Sequence, residues 1–261
     1  MRAVRYHGPK QPLTLDEVPR VDPGPGEVLV RVGAAGICHT ELHFLSGLLN
    51  LGIAPLTLGH EVVGRVEKTG HGVKVPAEGD RVVVYYYAGC GLCAHCLVGE
   101  ENLCGALRAE YGFVSDGGFA EYVTVPARNA VRLPDHLGDK AAAPIGCGVT
   151  TAVHAAGLAR LAMGDVVLVY GVGAVAFGLI QLARLAGAEV IAVSRTRAKL
   201  AKAKALGAAH VLDANEGRVA ERVRELTHGH GADVICEMVA TKETMQTCTQ
   251  ALAKRGRLVF I

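Results

Sequence analysis

What the sequence lacks narrows its class first. It has no tryptophan, no internal repeat and no low-complexity tract, which argues against repeat and disordered architectures. It lacks a charge imbalance: 27 Lys and Arg stand against 25 Asp and Glu, a formal net charge of +2. The basic residues are also scattered, so no nucleic-acid face and no membrane-binding basic face is expected. The opening MRAVRYHGPK has no apolar signal core, so no secretion signal is read and a cytoplasmic location is expected. One uncharged run, Val166–Ala183, reaches the length of a membrane span. Glycines at 171, 173 and 178 divide it into a strand, a turn and a helix, each too short to cross a bilayer.

What is present is a globular composition: half of the 261 residues are hydrophobic and 33 are glycine. The length suggests two domains. The first half holds short apolar or β-branched runs at Val28–Val32, Glu61–Val66, Arg81–Tyr87 and Ala120–Val125, separated by Pro and Gly punctuation. An antiparallel, partly barrel-like domain is expected over residues 1–145. The stretch Ala141–Leu161 is Ala-rich and helical in character. Over residues 146–261 strands alternate with helices, which argues for a parallel, doubly wound sheet and an α/β class. Strands are expected at 166–170, 189–193, 209–212, 233–236 and 257–261, and helices at about 174–186, 196–206, 216–228 and 242–252. Gly187 and Gly207 stand where helix C-caps belong. The sequence ends inside the fifth strand of a fold that usually has six, so it is expected to be incomplete.

Eight cysteines in a chain with no read secretion signal point to metal or catalysis more than to disulfides. Four of them form Cys90-x2-Cys93-x2-Cys96-x7-Cys104. Four thiolates at this spacing can wrap one ion tetrahedrally, and Zn²⁺ favours sulfur without needing redox chemistry. No position is left for substrate, so a structural zinc is expected in a lobe at about 89–105. An iron–sulfur cluster shares the ligand type. Three more segments are ambiguous one by one: Gly59-His60-Glu61 with Gly64, Gly70 and Val73; Cys38-His39-Thr40-Glu41-Leu42-His43; and Ile145-Gly146-Cys147-Gly148-Val149-Thr150-Thr151. Together they offer two thiolates, an imidazole and a carboxylate. The cofactor signal is Gly171-x-Gly173-x-x-Ala176 between a strand and a helix. There the first glycine permits the turn, the second admits the pyrophosphate, and Ala176 still allows close helix packing. The helix N-terminus offers N–H groups to the phosphates.

These residues resemble the zinc-containing alcohol dehydrogenase branch of the medium-chain dehydrogenase/reductase superfamily. The pattern G-H-E-x2-G-x5-G-x2-V runs in full from Gly59 to Val73, and the four-cysteine lobe matches as well. The resemblance implies a GroES-like catalytic domain followed by a Rossmann domain. It implies Cys38, His60 and Cys147 as ligands of a catalytic zinc, with Glu61 behind the metal, so two zinc ions per chain. An open zinc site acidifies a bound alcohol, so that alkoxide can pass a hydride to a nicotinamide. Thr40 and His43 match the proton-relay positions. His39 matches a pyrophosphate contact, and Thr151 and Val175 match positions flanking the nicotinamide. Glu41 stands where such enzymes often carry an aspartate that orients the ligand imidazole. Leu48, Leu49 and Tyr86 are expected to line an apolar pocket. The partner is a small alcohol or carbonyl compound. A polyol, amino alcohol or acyl thioester is the alternative substrate class, and a non-catalytic dinucleotide-binding fragment is the alternative of another kind. A homo-oligomer is expected at full length. The acid that would hold the ribose of NAD is replaced by Ser194, followed by Arg195 and Arg197, which favours NADP(H) over NAD(H).

Overall fold

In the computed structural model, which describes residues 1–261, the chain divides into two units, Met1–Cys147 and Gly148–Ile261. No single helix is long and apolar enough to cross a membrane.

The first unit is built from β-branched stretches. Its strands are β1 (Arg2–Tyr6), β2 (Thr14–Glu17), β3 (Glu27–Gly36), β4 (Leu56–Thr57), β5 (Glu61–Thr69), β6 (Arg81–Val84), β7 (Tyr87–Ala88), β8 (Ala109–Glu110), β9 (Tyr122–Pro126) and β10 (Ala130–Arg132). Helices α1 (His39–Ser46), α2 (Ala94–Leu97) and α3 (Asp139–Ala142) lie among them. The main sheet is antiparallel in the order β10-β6-β5-β3-β9. One face buries a valine-rich cluster that includes Val28, Val30, Val62, Val82, Val84 and Val125. The pairing of β3 with β5 shifts register between Leu29 and Val30 and again between Val32 and Ala34. Such bulges bend a strand; beyond them Gly36 is paired with Glu61. The pair β7–β8 closes the base of the loop that carries Cys90 to Cys104.

The second unit holds β11 (Val166–Tyr170), β12 (Glu189–Ser194), β13 (His210–Asp213), β14 (Ala232–Glu237) and β15 (Leu252–Phe260). All pair in parallel, in the order β13-β12-β11-β14-β15. The helices are α4 (Gly148–Ala159), α5 (Ala174–Leu185), α6 (Arg197–Ala205), α7 (Val219–Leu226) and α8 (Lys242–Ala251). Strand alternation splits the core in two. Val167 and Val169 join Ala152, Leu179, Ile180 and Ala203 on one face. Leu168 and Tyr170 join Val219, Val223, Cys248 and Ala251 on the other. The sheet is thus doubly wound, and its strand order reverses between β11 and β14.

Several boundaries differ from expectation for identifiable reasons. β6 stops at Val84 because the Asn129 side chain takes over the ladder, donating to the carbonyls of Tyr85 at 2.8 Å and Tyr87 at 2.7 Å. The Ala141–Leu161 stretch is interrupted: Pro144 lies in a 3₁₀ turn, and Cys147 leaves helical geometry at φ −136°, ψ −74°. α7 begins at Val219 rather than near 216, because Gly217 and Arg218 have positive φ and Asp213 caps a separate short turn, Ala214–Glu216. β15 starts at Leu252, directly after α8.

Candidate active site

α1 opens at Cys38, whose extended backbone makes it the N-cap, and Glu41 three residues on completes a capping box. Glu41 Oε2 accepts the Cys38 N–H at 2.7 Å. Its other oxygen, Oε1, lies 2.9 Å from His60 Nδ1. That contact departs from the alignment of a linear hydrogen bond, so charge carries more of it than direction does. His60 enters from the turn before β5 and is 1% exposed. Cys147 arrives from the 3₁₀ turn whose Gly146 sits against the carbonyls of Val84 and His60. Each of Cys38, His60, Glu61 and Cys147 offers one donor atom, and these four atoms lie within 4.8 Å of one another. All four belong to the first unit.

The donor set fits a soft divalent cation such as zinc. His60 Nε2 is buried without a hydrogen-bond partner, a state that protein interiors avoid unless something else satisfies the atom. The electrostatics agree. Cys147, ahead of opposing burial and of His60, holds the Cys38 thiol down at about 3. Burial disfavours the His60 imidazolium, but Cys38 and Glu41 outweigh it and push the ring up to about 9. A metal-free pocket therefore pairs a thiolate with an imidazolium, and the proton on His60 stands in for part of a cation's charge. Glu61 needs Gly36 opposite: a Cβ there would fall 2.0 Å from Glu61 Oε2.

Around this cluster, Thr40 Oγ1 lies 3.6 Å from Cys38 Sγ. His43 sits one helical turn beyond His39, and the two rings meet edge-on at 4.9 Å. Leu49 and Phe113 both pack against Tyr6, Phe44, Leu56 and Leu58, and Leu48 is 77% exposed. The wall beside the imidazole is Tyr86, 5.1 Å from the His60 ring, with Phe113 4.9 Å from His60 and stacked on Tyr86. Burial, foremost, raises the Tyr86 phenol and keeps it neutral. Phe113 was not foreseen; nothing in its spacing marks it, since its place depends on a long return loop.

The Cys90, Cys93, Cys96 and Cys104 sulfurs also lie within 4.8 Å of one another, and none is in a disulfide. Backbone N–H groups of Leu92 and Cys93 point at Cys90 Sγ at 3.4 and 3.3 Å and pull its thiol down to about 6. For Cys96 the Gly91 N–H favours the thiolate, but burial and the neighbouring Cys93, Cys104 and Cys90 push it up to about 12. Four sulfurs so crowded cannot all ionise without a cation among them.

In the second unit Gly171 has φ +95°, a conformation that favours glycine, and Gly173 is the N-cap of α5. A Cβ on Gly173 would meet nothing within 4 Å, so the turn faces open space, as a phosphate cradle requires. Ala176 is fully buried. α4 and α5 also approach closely at Gly178, where a Cβ would lie 2.8 Å from Ala152 Cβ. Thr151 and Val175 occupy the first turns of α4 and α5, which sit side by side, since a Cβ on Gly148 would lie 3.4 Å from Ala174 Cβ. Ser194 ends β12, is 8% exposed, and accepts the Thr196 N–H at 3.2 Å. Arg195 is exposed, and its carbonyl is tied to Asn215 Nδ2 at 2.9 Å.

Residues 24–135 match the model of the alcohol dehydrogenase GroES-like domain, and residues 171–261 match that of the zinc-binding dehydrogenase. The chain is 34% identical to a NAD-dependent alcohol dehydrogenase of Sulfurisphaera tokodaii, covering 100% of this chain and 78% of that one. It is 35% identical to an alcohol dehydrogenase of Geobacillus stearothermophilus, covering 100% and 77%. Among solved structures, a zinc-binding dehydrogenase of Sinorhizobium meliloti bound to NADP superposes with a TM-score of 0.91 at 35% identity, covering 99% of this chain and 75% of that one. The chain belongs to the zinc-containing alcohol dehydrogenase family of the medium-chain dehydrogenase/reductase superfamily.

Proposed function

We propose that this chain transfers a hydride between a small alcohol and its carbonyl counterpart, with Cys38, His60 and Cys147 holding a catalytic zinc, Cys90, Cys93, Cys96 and Cys104 holding a structural one, and NADP(H) as the preferred cofactor. The observation that carries the reading is the convergence of two thiols, an imidazole and a carboxylate within 4.8 Å, around a buried His60 Nε2 with no hydrogen-bond partner. When bound, zinc supplies Lewis acidity to a substrate oxygen, and the nicotinamide takes up or returns the hydride.

The chain's own residues do the rest. Glu41 fixes the His60 ring and the start of α1 together. Thr40 stands close enough to the Cys38 sulfur for its hydroxyl to accept the substrate hydroxyl's proton, and His43 passes that proton outward along α1. Tyr86 and Phe113 present aromatic surface beside the metal ligands, which excludes water and favours a small uncharged alcohol over a polyol. Glu61, buried behind the thiols, is placed to exchange with a departing ligand. The Gly171–Ala176 turn cradles the pyrophosphate, with Thr151 and Val175 flanking the nicotinamide, and His39 holds the position that the family resemblance assigns to a phosphate contact. Ser194 and Arg195 read the adenosine ribose. The carboxylate of Asp213, the register partner of Ser194 on β13, does not replace the missing acid. It accepts from Asn215 N at 3.0 Å and Asn215 Nδ2 at 2.7 Å, and its other oxygen faces Arg197.

The test is turnover of a panel of primary, secondary and polyhydric alcohols and their carbonyl partners by the zinc-loaded chain. Oxidation of uncharged alcohols with reduction of nicotinamide is expected. Cofactor binding without turnover of any alcohol or carbonyl would replace this reading with a binding protein.

A further inference from the structure

Glu237 ends β14 and is 1% exposed. Burying a carboxylate is costly unless hydrogen bonds satisfy it, and here its partners are all main chain. Oε1 accepts the N–H of Val239 at 2.9 Å and of Ala240 at 3.1 Å, and Oε2 accepts the Ala240 N–H at 2.9 Å. The carboxylate thereby fixes a three-residue turn, Met238–Ala240, whose last residue sits in the left-handed region at φ +58°, uncommon for alanine. The Met238 N–H donates to the Tyr170 carbonyl at 3.0 Å, which ties the turn to the end of β11.

The turn lies beside the glycine motif. A Cβ on Gly171 would fall 2.7 Å from Val239 Cγ2, so the valine is pressed against the face that glycine leaves bare. β11 and β14 are the neighbours between which the strand order reverses. In open α/β sheets the dinucleotide lies outside the carboxyl ends of the strands at that reversal, with its adenosine half on the side of the second strand. Ser194, at the end of β12, marks the adenosine side. The turn after β14 therefore faces the other half.

We infer that Glu237 is a positioning residue for the nicotinamide half of the cofactor: it holds Val239 and the Met238–Ala240 main chain as the wall against which the nicotinamide ribose and its phosphate settle. This role rests on the reading of Gly171–Ala176 as a dinucleotide turn. A carboxylate needed only for folding would loosen the whole unit; one that shapes this wall affects one half of the ligand.

The two are separated by binding measurements on the zinc-loaded chain. NADPH and NADH affinities are read from nicotinamide fluorescence, and the affinity for the matching adenosine fragment, 2′,5′-ADP or ADP, from calorimetry. In Glu237→Leu the whole dinucleotide should bind about tenfold more weakly, as for loss of one well-made hydrogen-bond set, with the fragment unchanged. Glu237→Gln keeps an acceptor for both N–H groups and should recover most of the loss. Glu237→Asp keeps the charge one methylene short and should weaken the dinucleotide alone, which carries the test if the leucine variant does not fold. Unchanged dinucleotide binding in Glu237→Leu or Glu237→Asp, or equal weakening of dinucleotide and fragment, overturns the role. A wild-type chain that binds the fragment but neither dinucleotide also overturns it. One that binds none of them removes the dinucleotide reading itself, a different result from any failure of the variants.

Discussion

Glu41 Oε1 stands 2.9 Å from His60 Nδ1, with both side chains almost fully buried. The glutamate reaches the imidazole because it is anchored by its other oxygen on the Cys38 N–H, so one carboxylate sets two of the proposed metal ligands at once. The methylene that glutamate adds over aspartate is what spans the two. Glu41→Asp should lose one of the contacts and Glu41→Leu both. Partners of ligand imidazoles typically contribute about 10- to 100-fold to metal affinity. Competition with a chromophoric chelator should show zinc held about that much more weakly by Glu41→Leu, with Glu41→Asp between it and wild type. Equal affinities across the series would mean that Glu41 only caps α1.

The pH dependence of zinc binding follows from the same pocket. With the His60 ring pushed up to about 9 and the Cys38 thiol held down at about 3, the metal-free pocket at neutral pH carries a proton on His60 and none on Cys38. Zinc must displace the imidazole proton to bind. The His60 proton therefore makes the affinity rise with pH, by about tenfold per unit, and its own contribution levels off above about 9. Calorimetry in buffers of different ionisation enthalpy should count the His60 proton among those released near pH 7. His60→Asn should lose that proton from the count. The same count in wild type and variant would place the released protons elsewhere.

The two metal sites should also separate on chelation. The four-cysteine lobe is closed at its base by β7–β8, and backbone N–H groups reach Cys90 and Cys104. The other cluster must leave room for substrate. Elemental analysis of replete protein should give about two zinc ions per chain, and a moderate chelator should remove one with loss of turnover while the circular dichroism holds. Cys147→Ala should reduce the count to about one without unfolding. Loss of both ions together, or a chromophore from iron, would contradict the assignment.

Much of this was legible in the sequence because the chemistry is local. Cys90 to Cys104 lie on one loop, and the Gly171–Ala176 turn lies between two elements that periodicity already marks. The resemblance to a known family supplied the long-range part, joining Cys38, His60 and Cys147 across segments that no spacing rule connects. What escaped notice depends on side chains meeting across the fold. Asn129 ends β6 by reaching the tyrosine carbonyls, and Phe113 joins Tyr86 beside the His60 ring. Gly178 makes a further close helix contact, against Ala152. Glu237 left one signal unread: an acid closing an otherwise apolar strand, where burial demands a partner.

Cofactor choice turns on the end of β12. An acid there would accept from the ribose 2′-OH of NAD and repel a 2′-phosphate. Ser194 occupies the position, and its register partner across the sheet is Asp213. Asp213 is engaged by Asn215, which also holds the Arg195 carbonyl, so the turn that presents Arg195 is braced. Arg195 can therefore pair with a 2′-phosphate through its planar guanidinium, whereas Arg197, with its side chain 92% exposed, faces Asp213 at 3.8 Å and adds little. The relatives do not decide the matter, since one is named NAD-dependent and another holds NADP. Wild type should show the higher kcat/KM with NADP(H). Ser194→Asp with Arg195→Ile should reverse the preference, and Arg197→Ala should leave it within about twofold, as expected of a weak exposed pair. Asn215→Ala, which frees the Arg195 turn without touching the phosphate, should narrow the ratio by raising KM for NADP(H) alone. A wild-type preference for NAD(H), or a double variant with an unmoved ratio, would show that neither Ser194 nor Arg195 reads the phosphate.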